Sequence, residues 1–155
     1  MIFYRDIQYS QISVIKNLWE KNRIYHENLS KYFGDNYSNI IFEDRIKDFS
    51  NFDSNHIKIT IAENSENQII GYCISTIDGI AAETHSLHVA EDARGLGIGK
   101  NLMNRHIEWM KNNSCTNITL TVAYENSNTI SFYNSLGFKE NTIEMGLITN
   151  GSKND

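Results

Sequence analysis

A run of alternating residues that ends in a glycine-rich turn is the stretch of this chain best suited to chemistry. Residues 87–100 read LHVAEDARGLGIGK, with glycines at every second position of the turn: Gly95, Gly97 and Gly99. Such glycines let the backbone turn its N–H groups to one side, and a helix starting there adds unpaired N–H groups and the positive end of its dipole. Arg94 and Lys100 flank the turn with positive charge. The pattern predicts a site for a phosphate or pyrophosphate.

Spacing argues against two other phosphate-binding patterns. A Walker loop needs a glycine five residues before Gly99, where this chain has Arg94, and Ser or Thr after the lysine, where it has Asn101. A dinucleotide fingerprint is Gly-x-Gly-x-x-Gly in a first strand-turn-helix unit, whereas this turn is Gly-x-Gly-x-Gly in mid-chain. Neither a P-loop nor a Rossmann site is expected.

The turn and a second motif further along the chain resemble one known family. The spacing Arg94-x-x-Gly97-x-Gly99 resembles the Arg/Gln-x-x-Gly-x-Gly/Ala signature of the GNAT superfamily of acyl-CoA-dependent N-acetyltransferases. The similarity extends to that family's Asn…Phe-Tyr-x-x-x-Gly-Phe segment, which is matched by Asn126, Phe132-Tyr133 and Leu136-Gly137-Phe138. The resemblance implies transfer of an acetyl group from acetyl-CoA to a primary amine of a small molecule, peptide or protein, by direct attack in a ternary complex.

The resemblance also implies where acetyl-CoA lies. Main-chain groups from Leu87 to Val89 would pair with the pantetheine arm, the Leu87 N–H would bind the oxyanion, and the glycine turn would hold the pyrophosphate. Asn126 would contact the same arm, although a helix N-cap is an equally good interpretation of this residue. The full set implied to bind acetyl-CoA is Leu87, His88, Val89, Arg94, Gly95, Leu96, Gly97, Ile98, Gly99, Lys100, Asn126 and Tyr133.

Tyr133 is the candidate general acid. It follows Asn126 by seven residues and therefore shares its helix face. A phenol with a pKa of about 10 is well matched to a leaving thiolate, so that proton transfer between them is nearly thermoneutral. A ring packed in the core is the alternative interpretation of Tyr133.

Glu83 is the first candidate for the general base and His85 the second. Strand alternation places Glu83 on one face with His85, Leu87 and Val89. A glutamate occupies the matching strand position in the histone-acetylating branch of the superfamily, and an imidazole can also accept a proton near neutral pH. Alternation puts His85 and His88 on opposite faces, so no metal site is expected.

The two cysteines, Cys73 and Cys115, are expected to be small buried residues. Each lies in a segment that is typical of a buried strand or its entry, so no disulfide is expected. Neither has a neighbouring His or Lys that would lower its pKa, so no acyl-cysteine intermediate is expected.

The acceptor amine is the least specified part of the site. Aromatic residues and a histidine lie where the family builds its acceptor pocket: Trp19, Tyr25, His26, Tyr32, Phe33 and Tyr37. Together with Glu27 and Asp35 such rings can hold an ammonium through cation–π and ion-pair contacts, although core packing is the alternative. Polyamines, aminoglycosides, amino acids, peptide N-termini and protein lysines all stay open. Of this set, Tyr25, His26, Tyr32 and Phe33 are the predicted substrate-binding residues.

Periodicity predicts an α/β (α+β) fold of order β-α-α-β-β-β-α-β-α-β, a mixed sheet with helices on both faces. The strands are predicted at Ile2 to Ile7, Ile57 to Glu63, Ile69 to Ser75, Ala82 to Val89, Ile118 to Val122 and Phe138 to Thr149. Helices are predicted from Ser10, from Ser38 or Asn39, over Gly97 to Lys111, and over Asn126 to Leu136 with Gly137 as the C-cap glycine. The GNAT resemblance implies that the two central parallel strands splay apart to admit acyl-CoA.

Length and composition set the remaining expectations. The 155 residues suit one domain over 1–155, and no segment resembles a signal peptide or a membrane span, so a soluble cytoplasmic protein without a membrane partner is expected. A net charge of −5 argues against nucleic-acid binding and mildly favours a cationic acceptor. Exposed sheet edges in this fold allow a homodimer. The competing functions are a non-catalytic CoA-binding sensor or interaction module, and an acyltransferase for a longer acyl group.

Overall fold

The computed structural model describes residues 1–149, so the last residues of the predicted domain, 150–155, lie outside the described part. The chain divides into two compact units. The first comprises Met1–Glu20 and Phe42–Thr121, and the second comprises Lys21–Ile41 and the chain from Val122 onward.

One five-stranded sheet forms the centre of the first unit in the described residues. Its strands, in spatial order, are β1 (Phe3–Ile7), β2 (Ile57–Glu63), β3 (Ile69–Asp78), β4 (Ala81–Val89) and β5 (Asn117–Leu120). The first four are antiparallel neighbours, and β5 is parallel to β4. The mixed α/β sheet predicted from the sequence is thereby confirmed.

Strand β4 carries an extra residue in the middle of its pairing with β3. Ile74 pairs with Ser86 and Ser75 pairs with Thr84, so His85 is left over as a β-bulge. The pairing of β4 with β5 ends at Thr84, although β4 continues to Val89. The bulge therefore lies next to the point where the pairing of the two parallel strands ends, which is also where β5 itself ends, at Leu120.

Helix α4 (Ile98–Asn112) covers one face of this sheet. Its buried stripe consists of Ile98, Leu102, Met103, His106 and Met110. A Cβ on Gly71 of β3 would lie only 3.1 Å from Ile98 Cγ2 and 3.3 Å from Leu102 Cδ1. Gly71 is therefore required for the close approach of the first turns of α4 to the sheet.

Shorter helices contribute apolar residues to the opposite side of the sheet. They are the 3₁₀ turn Tyr9–Ile15, the start of α1 (Lys16–Leu29), α3 (Phe42–Lys47) and the 3₁₀ turn Asp48–Asn51. Trp19 packs edge-on against Phe42 at 5.3 Å between ring centroids, and both rings are buried. Trp19 is thus a core residue of the first unit.

A chain of polar groups, all buried except the exposed Asp6, crosses the first unit from β1 to β4. The Thr60 hydroxyl donates to Asp6 at 2.6 Å and lies 2.9 Å from His106 Nε2. His106 Nδ1 lies 2.7 Å from the Ser75 hydroxyl, which lies 2.9 Å from that of Thr84. Because the Thr60 proton points to the Asp6 carboxylate, His106 must donate from Nε2 and accept from Ser75 at Nδ1.

The second unit contains the rest of α1 with α2 (Asp35–Ser38) and α5 (Ser127–Ser135). Helix α5 ends as predicted at Gly137, which has a φ of +102°. The Gly137 N–H donates to the Asn134 carbonyl at 3.0 Å and the Phe138 N–H donates to the Tyr133 carbonyl at 3.1 Å. This pair of hydrogen bonds is a Schellman motif, which requires a left-handed residue that glycine supplies best.

The predicted final strand is wrong, because Phe138 to Thr149 forms no strand in the described chain. Ile143, Met145 and Leu147 alternate as a strand would, but they are 70%, 89% and 87% exposed. Alternation produces a strand only where a neighbouring strand accepts the backbone hydrogen bonds and a core covers one face.

Several predicted boundaries are also wrong. Gln8, and not Ser10, opens the first helical segment, through reciprocal hydrogen bonds with Gln11. The helix predicted to begin at Ser38 or Asn39 begins at Phe42, which the core of the first unit buries. Strand β5 ends at Leu120 and so is shorter than predicted. None of the helices within residues 1–149 has the length and hydropathy needed to span a bilayer.

Candidate active site

The glycine turn between β4 and α4 adopts the conformation that its sequence predicts. Gly95 and Gly97 have φ values of +83° and +78°, and Gly97 immediately precedes α4. Open space surrounds both glycines at the position of a Cβ. Buried Ala93 and Ile98 hold the two ends of the turn, so its exposed centre is fixed from both sides.

The amides of this turn suit an anion. Among the described residues, no backbone hydrogen bond outside the helices is donated by the N–H groups from Gly95 to Lys100. Asn101 is the first to donate into the helix, to the Gly97 carbonyl at 3.0 Å. Arg94 and Lys100 are exposed, and Arg94 Nε donates to the Val89 carbonyl at 3.2 Å. A pyrophosphate fits this set of donors and positive charges.

The edge of β4 beyond the bulge suits the arm that follows the pyrophosphate. Leu87, His88 and Val89 pair with Cys73, Tyr72 and Gly71 of β3. On their other side, β5 pairs with β4 only as far as Thr84. An extended ligand could therefore add to β4 as a strand does, which is the arrangement that the resemblance implies for pantetheine.

The bulge changes which side chains share a face of β4. Gly71 lies against Ile98 of α4, so its partner Val89 lies on the α4 face, as does Leu87. His85, by contrast, contacts Thr76 of β3 on the opposite face. The expectation that Glu83 and His85 share a face with Leu87 and Val89 is wrong, because it assumes uninterrupted alternation.

His88 lies on the same side of the sheet as His85, contrary to the expectation of opposite faces. The His88 ring lies 6.5 Å from that of Tyr72, which alternates in phase with Thr76 along β3. The two histidines nevertheless contact residues four positions apart on β3, so they do not converge. Residues 1–149 hold no group of three or more His, Cys, Asp and Glu side chains able to bind a metal ion.

Glu83, His85 and Thr76 form one cluster on this face. His85 Nε2 lies 2.6 Å from the Thr76 hydroxyl, and Nδ1 lies 3.7 Å from Glu83 Oε2. Phe49 packs edge-on against the imidazole at 5.1 Å. Burial lowers the pKa of His85; the Glu83 carboxylate opposes that change. Thr76 could not be recognised from the sequence, because its role depends on the register of the bulged pair.

Tyr133 and Asn126 belong to the second unit, and both are buried, at 8% and 6% exposure. The Tyr133 ring lies 5.1 Å from that of Phe132 and 5.7 Å from that of Phe138. Asn126 occupies the N-cap position of α5, as the N-cap interpretation predicts, but its side chain makes no capping hydrogen bond. Its Oδ1 instead accepts a long hydrogen bond, 3.5 Å, from the Tyr25 hydroxyl.

The predicted acceptor residues of the second unit form two small clusters. His26 lies against Tyr25 and stacks on Tyr37 at 5.6 Å, and its buried Nδ1 has no hydrogen-bond partner in the described structure. Tyr32 packs on Phe33 at 6.4 Å between ring centroids. Burial lowers the pKa of His26, so this imidazole is neutral at neutral pH.

The carboxylates beside these rings differ from those expected. Glu27 is held by Arg23 at 3.0 Å, and Asp35 is exposed. Burial raises the pKa of Tyr37, and negative charge on Glu125 and Glu144 raises it further, which places both acids near its phenol. Sequence distance concealed this pair, because Glu125 and Glu144 lie far from Tyr37 along the chain.

Both cysteines are free and buried. Burial raises the pKa of the Cys73 thiol to about 12, so the thiolate that a covalent acyl intermediate needs is not formed near neutral pH.

Together these features define an α/β protein in which a bulged strand, unpaired on one side at its end, leads through a glycine turn into a helix N-terminus. Residues 21–138 match the Acetyltransferase (GNAT) family. The chain belongs to this family.

Three individual proteins are similar to the chain. An uncharacterized N-acetyltransferase, MJ1207 of Methanocaldococcus jannaschii, is 42% identical over 67 residues, which cover 43% of this chain and 30% of that protein. The chain thus spans less than a third of this curated relative. BH1408 of Bacillus halodurans, solved as a tetramutant, has a TM-score of 0.74 at 19% identity, over 94% of this chain and 99% of that one. A GNAT acetyltransferase of Staphylococcus aureus Mu50 has a TM-score of 0.72 at 20% identity, over 92% and 87%. The two solved structures show a shared fold.

Proposed function

We propose that this acetyltransferase uses acetyl-CoA to acetylate a primary amine, without a metal ion. The observation that carries the proposal is the row of unpartnered amides from Gly95 to Lys100, which continues from a strand edge left open after Thr84. The open edge of β4 can accept the pantetheine arm of CoA, which contains amide groups, and the glycine turn can accept its pyrophosphate. The similarity to a protein described as an N-acetyltransferase supports nitrogen as the accepting atom.

Each step of the transfer has a proposed residue. Acetyl-CoA supplies the acetyl group as a thioester. The glycine turn and Arg94 bind the pyrophosphate, and the Leu87 N–H binds the oxyanion that forms on attack. The carboxylate and imidazole of Glu83 and His85 take the proton of the acceptor ammonium. Tyr133 donates its phenol proton to the departing thiolate and regains one from the new amide nitrogen.

A cationic amine is the proposed acceptor class. The chain carries a net charge of −5, and the aromatic residues of the second unit lie beside Glu125 and Glu144. Rings and carboxylates together favour an ammonium group. A cytoplasmic setting and a homodimeric assembly stay predictions, as does the preference for acetyl over longer acyl groups.

The proposal is tested by thiol release from acetyl-CoA in the presence of spermidine, sisomicin or a lysine-containing tripeptide amide. Gly97→Glu places a negative charge in the turn and should abolish both thiol release and the thermal shift caused by CoA. Gly79→Glu is the matched control, because Gly79 also has a positive φ, +62°, and open space at its Cβ, but lies in the β3–β4 turn.

The expected result is thiol release with at least one amine, retained in Gly79→Glu and lost in Gly97→Glu. A thermal shift with CoA but no release with any amine would contradict the proposal and indicate the non-catalytic CoA-binding module. If Gly97→Glu and Gly79→Glu bound CoA equally well, the glycine turn would not be part of the CoA site.

A further inference from the structure

The bulge in β4 places the His85 ring against Thr76 and Phe49, on the face opposite α4. An extra residue in one strand commonly re-aims a side chain, and bulges are frequent beside active sites. Here the extra residue is His85, opposite the register shift between Ile74 and Ser75. The bulge brings its imidazole to the Thr76 hydroxyl at 2.6 Å. A residue that is unpaired in the ladder is therefore fixed through its side chain.

The two ring nitrogens of His85 meet different surroundings. Nε2 faces Thr76, which is only 5% exposed, so this nitrogen is closed to a ligand. Nδ1 faces Glu83, whose side chain is 50% exposed, across a gap of 3.7 Å. That distance is too long for a hydrogen bond but suits an ion pair once the ring is charged. A proton from a bound amine must therefore arrive at Nδ1.

We propose that His85 takes the proton of the acceptor ammonium at Nδ1, with Thr76 as the residue that positions the ring and Glu83 as the counter-charge. This assignment rests on the proposed acetyltransferase function and refines it, since sequence alone favours Glu83 as the base. The neutral ring carries its proton on Nε2 and donates it to Thr76 Oγ1. Both the charged and neutral states keep this hydrogen bond, so the ring need not turn during the transfer.

The proton balance of the transfer is complete with these groups. The acceptor R–NH₃⁺ gives one proton to His85 Nδ1 and becomes R–NH₂, whose lone pair forms the new C–N bond. When the C–S bond breaks, the thiolate receives the proton of Tyr133, and the nitrogen returns its second proton to the phenolate. The imidazolium then releases its proton to solvent. The products are the amide, the free thiol and one proton.

The charges around His85 suit this role. Burial lowers the pKa of His85, so the ring is neutral and ready to accept a proton at neutral pH. Glu83 on β4 and Asp48 from the turn after α3 favour the charged form, whereas Arg45 of α3 opposes it. Arg45 lies over the Phe49 ring, 5.3 Å from its centroid, and is paired with Asp48 at 3.7 Å.

The first test reads the tautomer directly and does not depend on activity. Long-range ¹H–¹⁵N spectra of protein labelled in histidine, with His85 assigned from His85→Gln, should show a protonated Nε2 and a bare Nδ1 at pH 8. Thr76→Val should shift the ring toward a mixture of tautomers. A protonated Nδ1 and a bare Nε2 in the unaltered protein would overturn the proposal.

The second test uses the pH dependence of kcat/KM for whichever of spermidine, sisomicin or the tripeptide amide is acetylated. At pH 7, His85→Gln should lower kcat/KM by about 10²-fold or more, with the KM for acetyl-CoA unchanged. The fall in kcat/KM caused by His85→Gln should become smaller as the pH rises, because more of the acceptor amine is then already deprotonated in solution. Thr76→Val should lower kcat by roughly tenfold, as the loss of one positioning hydrogen bond predicts.

His56→Gln is the matched control, because His56 lies in the turn before β2 with half of its side chain exposed. A loss in His85→Gln that is equal at every pH would mean a structural role and would overturn the proposal. Activity in His85→Gln within threefold of the unaltered protein would do the same. Absence of transfer by the unaltered protein would instead defeat the proposed function, while the spectra would still report the tautomer.

Discussion

Among single residues, Tyr133 allows the cleanest substitution. Its ring is buried between Phe132 and Phe138, so Tyr133→Phe keeps the ring contacts and removes one hydroxyl. If that hydroxyl protonates the leaving thiolate, kcat should fall by about 10²-fold or more, while CoA affinity stays nearly unchanged. Steady-state kinetics and a CoA thermal-shift titration measure the two quantities.

A control for this substitution lies just before the same helix. Tyr124 is 75% exposed, so Tyr124→Phe removes a hydroxyl of the same kind from a solvated site and should leave kcat unchanged. Full turnover by Tyr133→Phe would exclude the Tyr133 hydroxyl from proton transfer.

The residues that the sequence could predict are those tied to a local motif. Gly97 and Gly137 need positive φ, and their spacing to the following or preceding helix is visible in the chain. Thr76 was invisible because its contact with His85 depends on a pairing register between two strands. Glu83 and His85 could be named as candidate bases from the sequence but could not be placed, since one extra residue in β4 reverses the face of the residues beyond it.

At the level of elements, the β4–α4 connection was predictable and the segment from Phe138 to Thr149 was not. The hairpin of β2 and β3, the long helix α4 and the parallel strand β5 follow from alternation and helical periodicity. The segment from Phe138 to Thr149 alternates just as clearly but forms no strand in the described chain. Alternation of apolar residues shows only that a segment could form a strand, whereas hydrogen bonding to a neighbouring strand decides whether it does.

The packing of α4 on β3 gives a prediction at the same scale. Gly71→Ala brings a Cβ to 3.1 Å from Ile98 Cγ2, so it should lower the free energy of unfolding by about 1–3 kcal/mol. Ile98→Ala removes the crowding atom but leaves a cavity, at a cost of about 2–5 kcal/mol. In the double variant the new Cβ of residue 71 partly fills the cavity left at residue 98. Its loss of unfolding free energy, measured by urea unfolding, should therefore be clearly smaller than the sum of the two single losses.

If the loss of unfolding free energy in the double variant equalled the sum of the two single losses within about 0.5 kcal/mol, Gly71 and Ile98 would not be in contact.

The same variants also test how the packing of α4 affects CoA binding. Ile98 is the first residue of α4 and anchors the glycine turn, so Gly71→Ala should also weaken CoA binding, whereas Gly79→Ala, in the β3–β4 turn beside the segment that follows the other end of α4, should not.

At the level of the whole molecule, buried polar groups tie the sheet to α4. His106 is fully buried and joins β2 through Thr60 and β3 through Ser75. Burial would raise the pKa of Asp6, but hydrogen bonds from Lys58 and Thr60 bring it below its usual value. The network is therefore anchored by a carboxylate that stays charged, and His106 must stay neutral to satisfy both of its neighbours.

This network makes the stability of the fold depend on pH. Burial lowers the pKa of His106 to about 3, against about 6.5 in the unfolded chain, so between these values the unfolded chain binds a proton that the folded chain does not. The free energy of unfolding should therefore fall as the pH drops below about 6.5, by roughly 1 kcal/mol per pH unit from His106. Burial lowers the pKa of His26 and His85 as well, which adds to the slope in the same direction. The stabilising charge of Asp6 is lost only at still lower pH, below its unfolded pKa of about 4.

His106→Gln separates this contribution from the others. Glutamine cannot titrate, so urea unfolding at pH 7, 6, 5 and 4 should show a lower stability at pH 7 but a shallower decline toward pH 4. His56→Gln, at the exposed position in the turn before β2, should leave the slope as it is in the unaltered protein. If His106→Gln declined as steeply as the unaltered protein, the pH dependence would have to come from groups outside the network. A shallower slope would instead show that one neutral imidazole, held between Thr60 and Ser75, limits the pH range in which the sheet and α4 stay together.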